Sequence, residues 1–281
     1  RTMYLHLAPS DRGRYLDPKA WKTEPLAPSV EQTMWMFCLP LAGKDGTRLV
    51  AGAKGPNASL TLFERGGSGG DEWRAKRLAS AGWIMSLMSA DVNGDGEEDV
   101  VFSDRRGKEN GVFWLPRAGD TFQAKKPIGG QGQQVMFMEY ADLDGDKLKD
   151  VVVPVSGGDI LFFRRQDDSS ADPSWAPHAI ATPAECGTGK SARVGDIDLD
   201  GRNDLVFSCE NASGTKSGVV WLSYDKSPTE RDWQAHEVSG PEGVKFDLLQ
   251  LVDLDGDGDL DIVTCEENRN LGVIWYENPT R

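Results

Sequence analysis

The sequence has little of what most enzyme active sites are built from. Only three histidines occur, His6, His178 and His236, and the last two fall in runs that read as outer strands, so a histidine base is not expected. The four cysteines, Cys38, Cys186, Cys209 and Cys265, show no C-x-x-C spacing, which argues against a zinc site; they allow three disulfide pairings and equally fit free thiols. No phosphate loop, dinucleotide fingerprint or nucleophile elbow is present. No apolar run approaches the roughly 20 residues of a membrane span, so membrane insertion is not expected, and no signal sequence is seen. Positive charge is also scarce. With 31 Lys and Arg against 45 Asp and Glu the net charge is −14, which argues against nucleic acid and against an anionic membrane surface.

What the chain does hold is acid in a fixed pattern. Asp253-Leu-Asp-Gly-Asp-Gly-Asp-Leu-Asp261 recurs as Asp91-Val-Asn-Gly-Asp-Gly-Glu-Glu-Asp99, Asp142-Leu-Asp-Gly-Asp-Lys-Leu-Lys-Asp150 and Asp196-Ile-Asp-Leu-Asp-Gly-Arg-Asn-Asp204. Side-chain oxygens stand at positions 1, 3, 5 and 9, and the backbone carbonyl of position 7 adds one more. A hard cation takes six to eight oxygens, so the expected cofactor is Ca²⁺, about four ions in a structural role. The expected ligands are Asp91, Asn93, Asp95, Glu97 and Asp99; Asp142, Asp144, Asp146, Leu148 and Asp150; Asp196, Asp198, Asp200, Arg202 and Asp204; and Asp253, Asp255, Asp257, Asp259 and Asp261, with position 7 acting through its carbonyl. An EF-hand would need a glutamate at position 12. That position holds Phe102, Val153, Phe207 or Thr264 inside β-type runs, so the EF-hand is rejected.

The loops begin at 91, 142, 196 and 253, a period of 51 to 57 residues, and one period earlier Leu41 to Leu49 keeps only the Asp45-Gly46 turn. Each repeat carries a run before the loop, a run after it, an aromatic third run (Leu60 to Phe63, Val112 to Trp114, Ile160 to Phe162, Val219 to Trp221, Val273 to Trp275) and a fourth opening on Trp73, Phe122, Trp175 or Trp233. Short runs of Val, Ile, Phe and Trp between Gly, Asn and Asp clusters are strands. Four antiparallel strands per repeat make a propeller blade, so the expected fold is an all-β, five-bladed β-propeller with Ca²⁺ loops in four blades. The last repeat stops after its third strand, and Trp21-Lys-Thr-Glu-Pro-Leu26 has the pattern of the missing fourth. The expectation is closure by that N-terminal strand on the C-terminal blade, with residues 1–20 an extension and 21–281 a single domain.

The D-x-[DN]-x-D-x-x-x-D loops followed by Asp-Val-Val or Asp-Ile-Val resemble the FG-GAP/VCBS repeats of integrin-α-like propellers. The Gly-Val-Ile-Trp-Tyr-Glu-Asn-Pro ending resembles bacterial VCBS-repeat proteins. The likeness covers about residues 30–281 and departs in two ways: repeat one lacks the acids, and five repeats is fewer than the seven usual for such propellers. It implies the fold and calcium, while the functions it implies are diverse: adhesion, glycan binding and, in some members, polysaccharide lyase activity.

If the acidic loops join strands one and two on one face, the opposite face surrounds the channel mouth. The expected ligand residues there are Trp35, Lys54, Arg105, Lys190, Glu210, Asp247, Glu266 and Glu267, with Met85 and Met136 alongside. Trp35 and Trp83 lie at the start of strand one and could stack on a ligand; the other tryptophans read as blade packing. Glu139, Arg193 and Gln250 could line the channel as a mutually satisfied polar set. Asn57-Ala-Ser59 and Asn211-Ala-Ser213 match the glycosylation acceptor by pattern alone. Three functions fit: a module binding a glycan or a protein; an enzyme on acidic polysaccharide, a lyase using Lys54, Arg105 or Lys190 or a hydrolase using two of Asp247, Glu210, Glu266 and Glu267; and an interaction scaffold. Weak oxygen-only loops suit millimolar calcium, so an extracellular or periplasmic location is expected for a chain that opens at Arg1, as a mature or trimmed one would.

Overall fold

The computed structural model describes residues 1–27, 30–43, 46–65, 72–167 and 171–280. Strands β1 (Met3–Leu7) and β2 (Lys22–Leu26) form a two-stranded ribbon. Blade one follows as β3 (Met34–Gly43), β4 (Gly46–Lys54), β5 (Ser59–Arg65) and β6 (Trp73–Ser80). Blade two is β7 (Ile84–Ala90), β8 (Asp99–Asp104) and β9 (Gly111–Leu115), then a small hairpin of β10 (Arg117–Ala118) and β11 (Thr121–Phe122), then β12 (Lys126–Gly129). Blade three is β13 (Glu139–Ala141), β14 (Asp150–Pro154), β15 (Ile160–Arg165) and β16 (Trp175–Ile180). Blade four is β17 (Thr188–Gly195), β18 (Asp204–Glu210), β19 (Val219–Ser223) and β20 (Gln234–Glu237), and blade five is β21 (Gln250–Val252), β22 (Asp261–Glu266) and β23 (Gly272–Tyr276). All pairings within the blades are antiparallel, as the short connections between consecutive strands allow. The turn at Asp45, read as the remnant of the lost loop, lies outside the described residues. Among the described residues no helix is long and apolar enough to cross a membrane.

The chain is therefore an all-β propeller of five blades, with two corrections of detail. Phe122 opens no fourth strand; it sits in the inserted hairpin, and Lys126–Gly129 takes that place. The closing strand goes elsewhere too. Lys22–Leu26 pairs with Met3–Leu7, not with the C-terminal blade, whose sheet keeps three strands. The extension of residues 1–20 thus supplies one strand of this ribbon. The ribbon buries Leu26, with Met3 and Leu5, on Leu49, Ala51 and Phe63 of blade one.

Blades pack face to face, and equivalent positions recur at each interface. Val112 and Trp114 of blade two meet Val135, Val151 and Phe163 of blade three; Val219 and Trp221 of blade four meet Phe246 and Ile262 of blade five. The same register in blade five is bare, with Val273 79% and Trp275 45% exposed. Packing elsewhere is close enough that glycine is required. A Cβ on Gly218 would lie 2.1 Å from the buried Phe246 ring. Gly218→Ala is expected to destabilise by about 1–3 kcal/mol through this overpacking, seen as a lower melting temperature; an unchanged midpoint would refute the tight fit.

The inner strands meet on the axis, where Phe37 of blade one touches Phe137 of blade three, ring centroids 6.2 Å apart. Met85, Met136, Trp83 and Leu248 join them. The channel is plugged by apolar side chains, and Met85 and Met136, expected at the mouth, are buried beneath it.

Candidate functional site

Two ends of each blade carry the charged side chains. At one end the loops between strands one and two are wound by their own acids. Asp91 Oδ1 accepts from Gly94 N at 2.8 Å and its Oδ2 from Gly96 N at 2.9 Å; Asp142 and Asp253 repeat both bonds, and Asp196 keeps only the second, from Gly201 N. The position-5 carboxylate accepts from the N–H of position 7 in all four loops. Such turns need left-handed backbone. Gly96, Gly201 and Gly258 provide it at position 6, but Lys147 adopts φ 74° there, and Leu199 adopts φ 59° at position 4. Non-glycine residues held in that region cost of order 1 kcal/mol or more, so the loop geometry is imposed by its surroundings.

The position-9 aspartates anchor each loop to the sheet. Asp150 is fully buried, with Oδ2 accepting from Leu143 N (3.0 Å) and Oδ1 from Arg165 N (2.8 Å). Asp99 and Asp261 are bonded in the same way, and Asp204 accepts from Ile197 N. Burial, reinforced by neighbouring loop acids, pushes Asp99, Asp150 and Asp204 up to about 6. At Asp261 burial also raises the pKa, but the N–H groups of Asn278 and Leu254 outweigh it and the net direction is down.

Three of the four loops gather acids that could hold a divalent cation; among the described residues the loop of 91–99 forms no such group. Carboxylate oxygens of Asp142, Asp144 and Asp146, of Asp196, Asp198 and Asp204, and of Asp253, Asp255 and Asp257 converge within 4.8 Å in each group. Asp196 Oδ1 is buried without a hydrogen-bond partner, as expected of an oxygen shaped for a cation. Two loops hold an internal positive charge instead. Arg164 bonds Asp144 and Asp146, and Arg202 bonds Asp200. Glu97, a position-7 residue, turns its carboxylate to Gly119 N.

At the opposite end lies the channel mouth. Lys190, 6% exposed, reaches Glu210 Oε2 and Asp247 Oδ1, each at 3.0 Å, joining blades four and five. On the far side Trp83 is ringed by cations. Lys54 Nζ lies 4.5 Å from its ring centroid, Arg105 Cζ 4.9 Å and Arg106 Cζ 5.0 Å. Arg105 also donates to Gln134 Oε1 and Ser156 Oγ, both at 3.3 Å. Burial lowers the Arg105 pKa, Glu210 opposes that, and Arg106 adds to it. Gly82 sets the corner: its N–H donates to Asp104, and a Cβ there would meet the Arg106 carbonyl at 2.0 Å.

Lys54, Arg105, Lys190, Glu210 and Asp247 thus come together at the mouth, but three expected residues do not. Trp35 packs edge-on against Phe63 and donates to the Arg1 carbonyl, so it fastens the N-terminal ribbon. Glu266, 1% exposed, accepts from the backbone N–H groups of Val244, Lys245, Asn268, Arg269 and Leu271 and holds a turn, as Asp104 does in blade two. These bonds hold its pKa down against burial. Glu267 is half exposed and pairs with Lys245. Glu139 and Arg193 do form an ion pair at 3.0 Å, while Gln250 is exposed and takes no part in it. Gln134 and Phe137 also belong to the mouth; Phe137 lies in the apolar run before the third loop and Gln134 just ahead of it, where local pattern marks a strand but no site. All four cysteines are free thiols.

No curated protein matches the chain. A family described as FG-GAP-like repeat matches residues 91–153, 142–207 and 196–264, each span opening on an acidic loop and running into the strand after the next one. The repeat that lacks the acids falls outside these spans. Acidic loops at a blade-length period, on a propeller of antiparallel sheets, are what this family describes, and the chain belongs to the FG-GAP-like repeat family.

Proposed function

We propose that this propeller is a calcium-stabilised binding protein, extracellular or periplasmic, whose channel-mouth face holds a glycan or a protein ligand. The observation that carries the reading is the mouth itself. Ionic side chains from blades one, two, four and five surround an apolar plug, and one buried ammonium is shared between two carboxylates. Convergent polar groups over an apolar floor are the usual make-up of a ligand site. In the loops Ca²⁺ would be held by Asp91, Asn93, Asp95 and Asp99 and by the corresponding aspartates of the next three repeats, where its charge would neutralise the clustered acid. Its role is structural, since the loops lie at the far end of the blades.

One observation favours an enzyme as the second reading. Glu210 and Asp247 are each 3.0 Å from one nitrogen, so their oxygens lie no more than about 6 Å apart, within reach of a retaining glycosidase pair. Lys190 already fills the space where a glycosidic oxygen would sit, and this weighs toward binding. Screening against glycan and protein arrays, with reducing-end and absorbance assays for turnover, separates the readings. Binding without turnover, weakened about tenfold or more by Glu210→Gln or Asp247→Asn, is expected. Ligand responses indifferent to both substitutions would refute the mouth as the site.

A further inference from the structure

We propose that the Trp83 corner of the mouth is an anion subsite, which makes the ligand an acidic glycan bearing carboxylate or sulfate groups. This rests on the reading of the mouth as the binding face and adds the ligand's charge and class. Three cations crowd one indole within 5.0 Å of its centroid. Among the described residues neither Lys54 nor Arg106 makes an ion pair, and the Asp104 carboxylate beside them in sequence is 1% exposed with its oxygens turned to backbone N–H groups. Like charges gathered on one ring repel, with Glu210 acting against this only at Arg105, and in a chain of net charge −14 such a cluster is not the statistical surplus of a basic surface. The indole holds the cations together through its π face; Arg106 is exposed and Lys54 partly so, which leaves their N–H groups to a ligand, while Arg105 is buried behind them. Arg105 is fixed in advance by Gln134 and Ser156, so little side-chain freedom is lost on binding.

The surface running away from this corner favours a sugar chain over an acidic peptide. Ser156, bonded to Arg105, is followed by Gly157 and Gly158, which open a cleft of about 400 Å³ between blades three and four. Its wall is mixed, with Thr182, Thr188, Asn211, Lys216 and Asp159 among Pro183, Ala184 and Cys186. A peptide anchors through apolar side chains in apolar pockets, whereas a glycan asks for hydroxyl and amide partners along a track. The corner would take the acidic group and the cleft a neighbouring sugar.

The test uses the intact chain, titrated with oligogalacturonate, chondroitin sulfate oligosaccharides, uncharged maltohexaose and oligoglutamate, read by calorimetry at low and high salt. Uronate and sulfate arms distinguish the two sources of the anion. The acidic oligosaccharides are expected to bind and the neutral one not to, with affinity falling about tenfold in Lys54→Gln and again in Arg106→Gln. Both variants should melt no lower than the parent at low salt, because removing one of several like charges relieves repulsion; a drop in melting temperature together with unchanged affinity would mark the cluster as structural. Equal binding of maltohexaose, binding of oligoglutamate alone, or no binding of any probe overturns the proposal. If Glu210→Gln abolishes binding of some ligand while Lys54→Gln leaves it intact, the anion subsite falls and the mouth stands. If array screening and these probes all fail, both fall.

Discussion

Chelation of divalent ions is expected to lower the thermal midpoint of this protein by on the order of 20 °C. An ion at a hundred times its dissociation constant stabilises the folded state by about 2.7 kcal/mol, and the four sites proposed above would act together. For a chain of this size each kcal/mol moves the midpoint by about 2 °C or more. The loss should be uneven. Arg164 and Arg202 partly neutralise the loops of blades three and four, so these two should bind a cation less tightly than their number of acids alone suggests. Acidity should narrow the gap between loaded and stripped protein. With folded pKa values of about 6, above the usual carboxylate range, Asp99, Asp150 and Asp204 take up protons on folding, so stripped protein loses stability as pH rises toward 6 and little more above it. The loaded protein runs the other way, since protons displace the cation below about pH 6. Scanning calorimetry with and without chelator at pH 5 and 7.5 reads both effects, and coincident curves at pH 7.5 would refute structural calcium.

Asp150→Ala is expected to be the most damaging single change in a loop, at about 3–5 kcal/mol even in chelator. It leaves the N–H groups of Leu143 and Arg165 without acceptors in a buried corner, each worth about 1–3 kcal/mol, and removes the tie between loop and third strand. Asp150→Asn keeps one acceptor oxygen and should recover part of the loss. Asp253→Ala, on the exposed loop of blade five, should cost much less in chelator and show its effect mainly when calcium is present. Equal losses for Asp150→Ala and Asp253→Ala in chelator would show that position 9 has no anchoring role of its own.

The same residues show how far local pattern reaches. An oxygen at every second position marks a loop whatever surrounds it, because the groups that must converge are neighbours in the chain, and the apolar runs on either side read as strands for the same reason. The mouth was legible only in outline. Glu266 and Glu267 are adjacent and alike in sequence, yet one is consumed by five backbone N–H groups and the other faces solvent beside Lys245. Trp35 and Trp83 both open a first strand, but only Trp83 gathers cations.

The sequence by itself determined the repeat, the blade and the acidic loops, since each is set by spacing within about fifty residues. Tertiary structure alone decided how the ends are used. Lys22–Leu26 has a strand's alternation whichever edge it joins, and it found Met3–Leu7, leaving Val273 and Trp275 uncovered. It also decided which charges meet at the mouth, because Lys190 and Asp247, or Lys54 and Arg105, stand one blade apart in the chain and are brought together only by the packing of sheet on sheet.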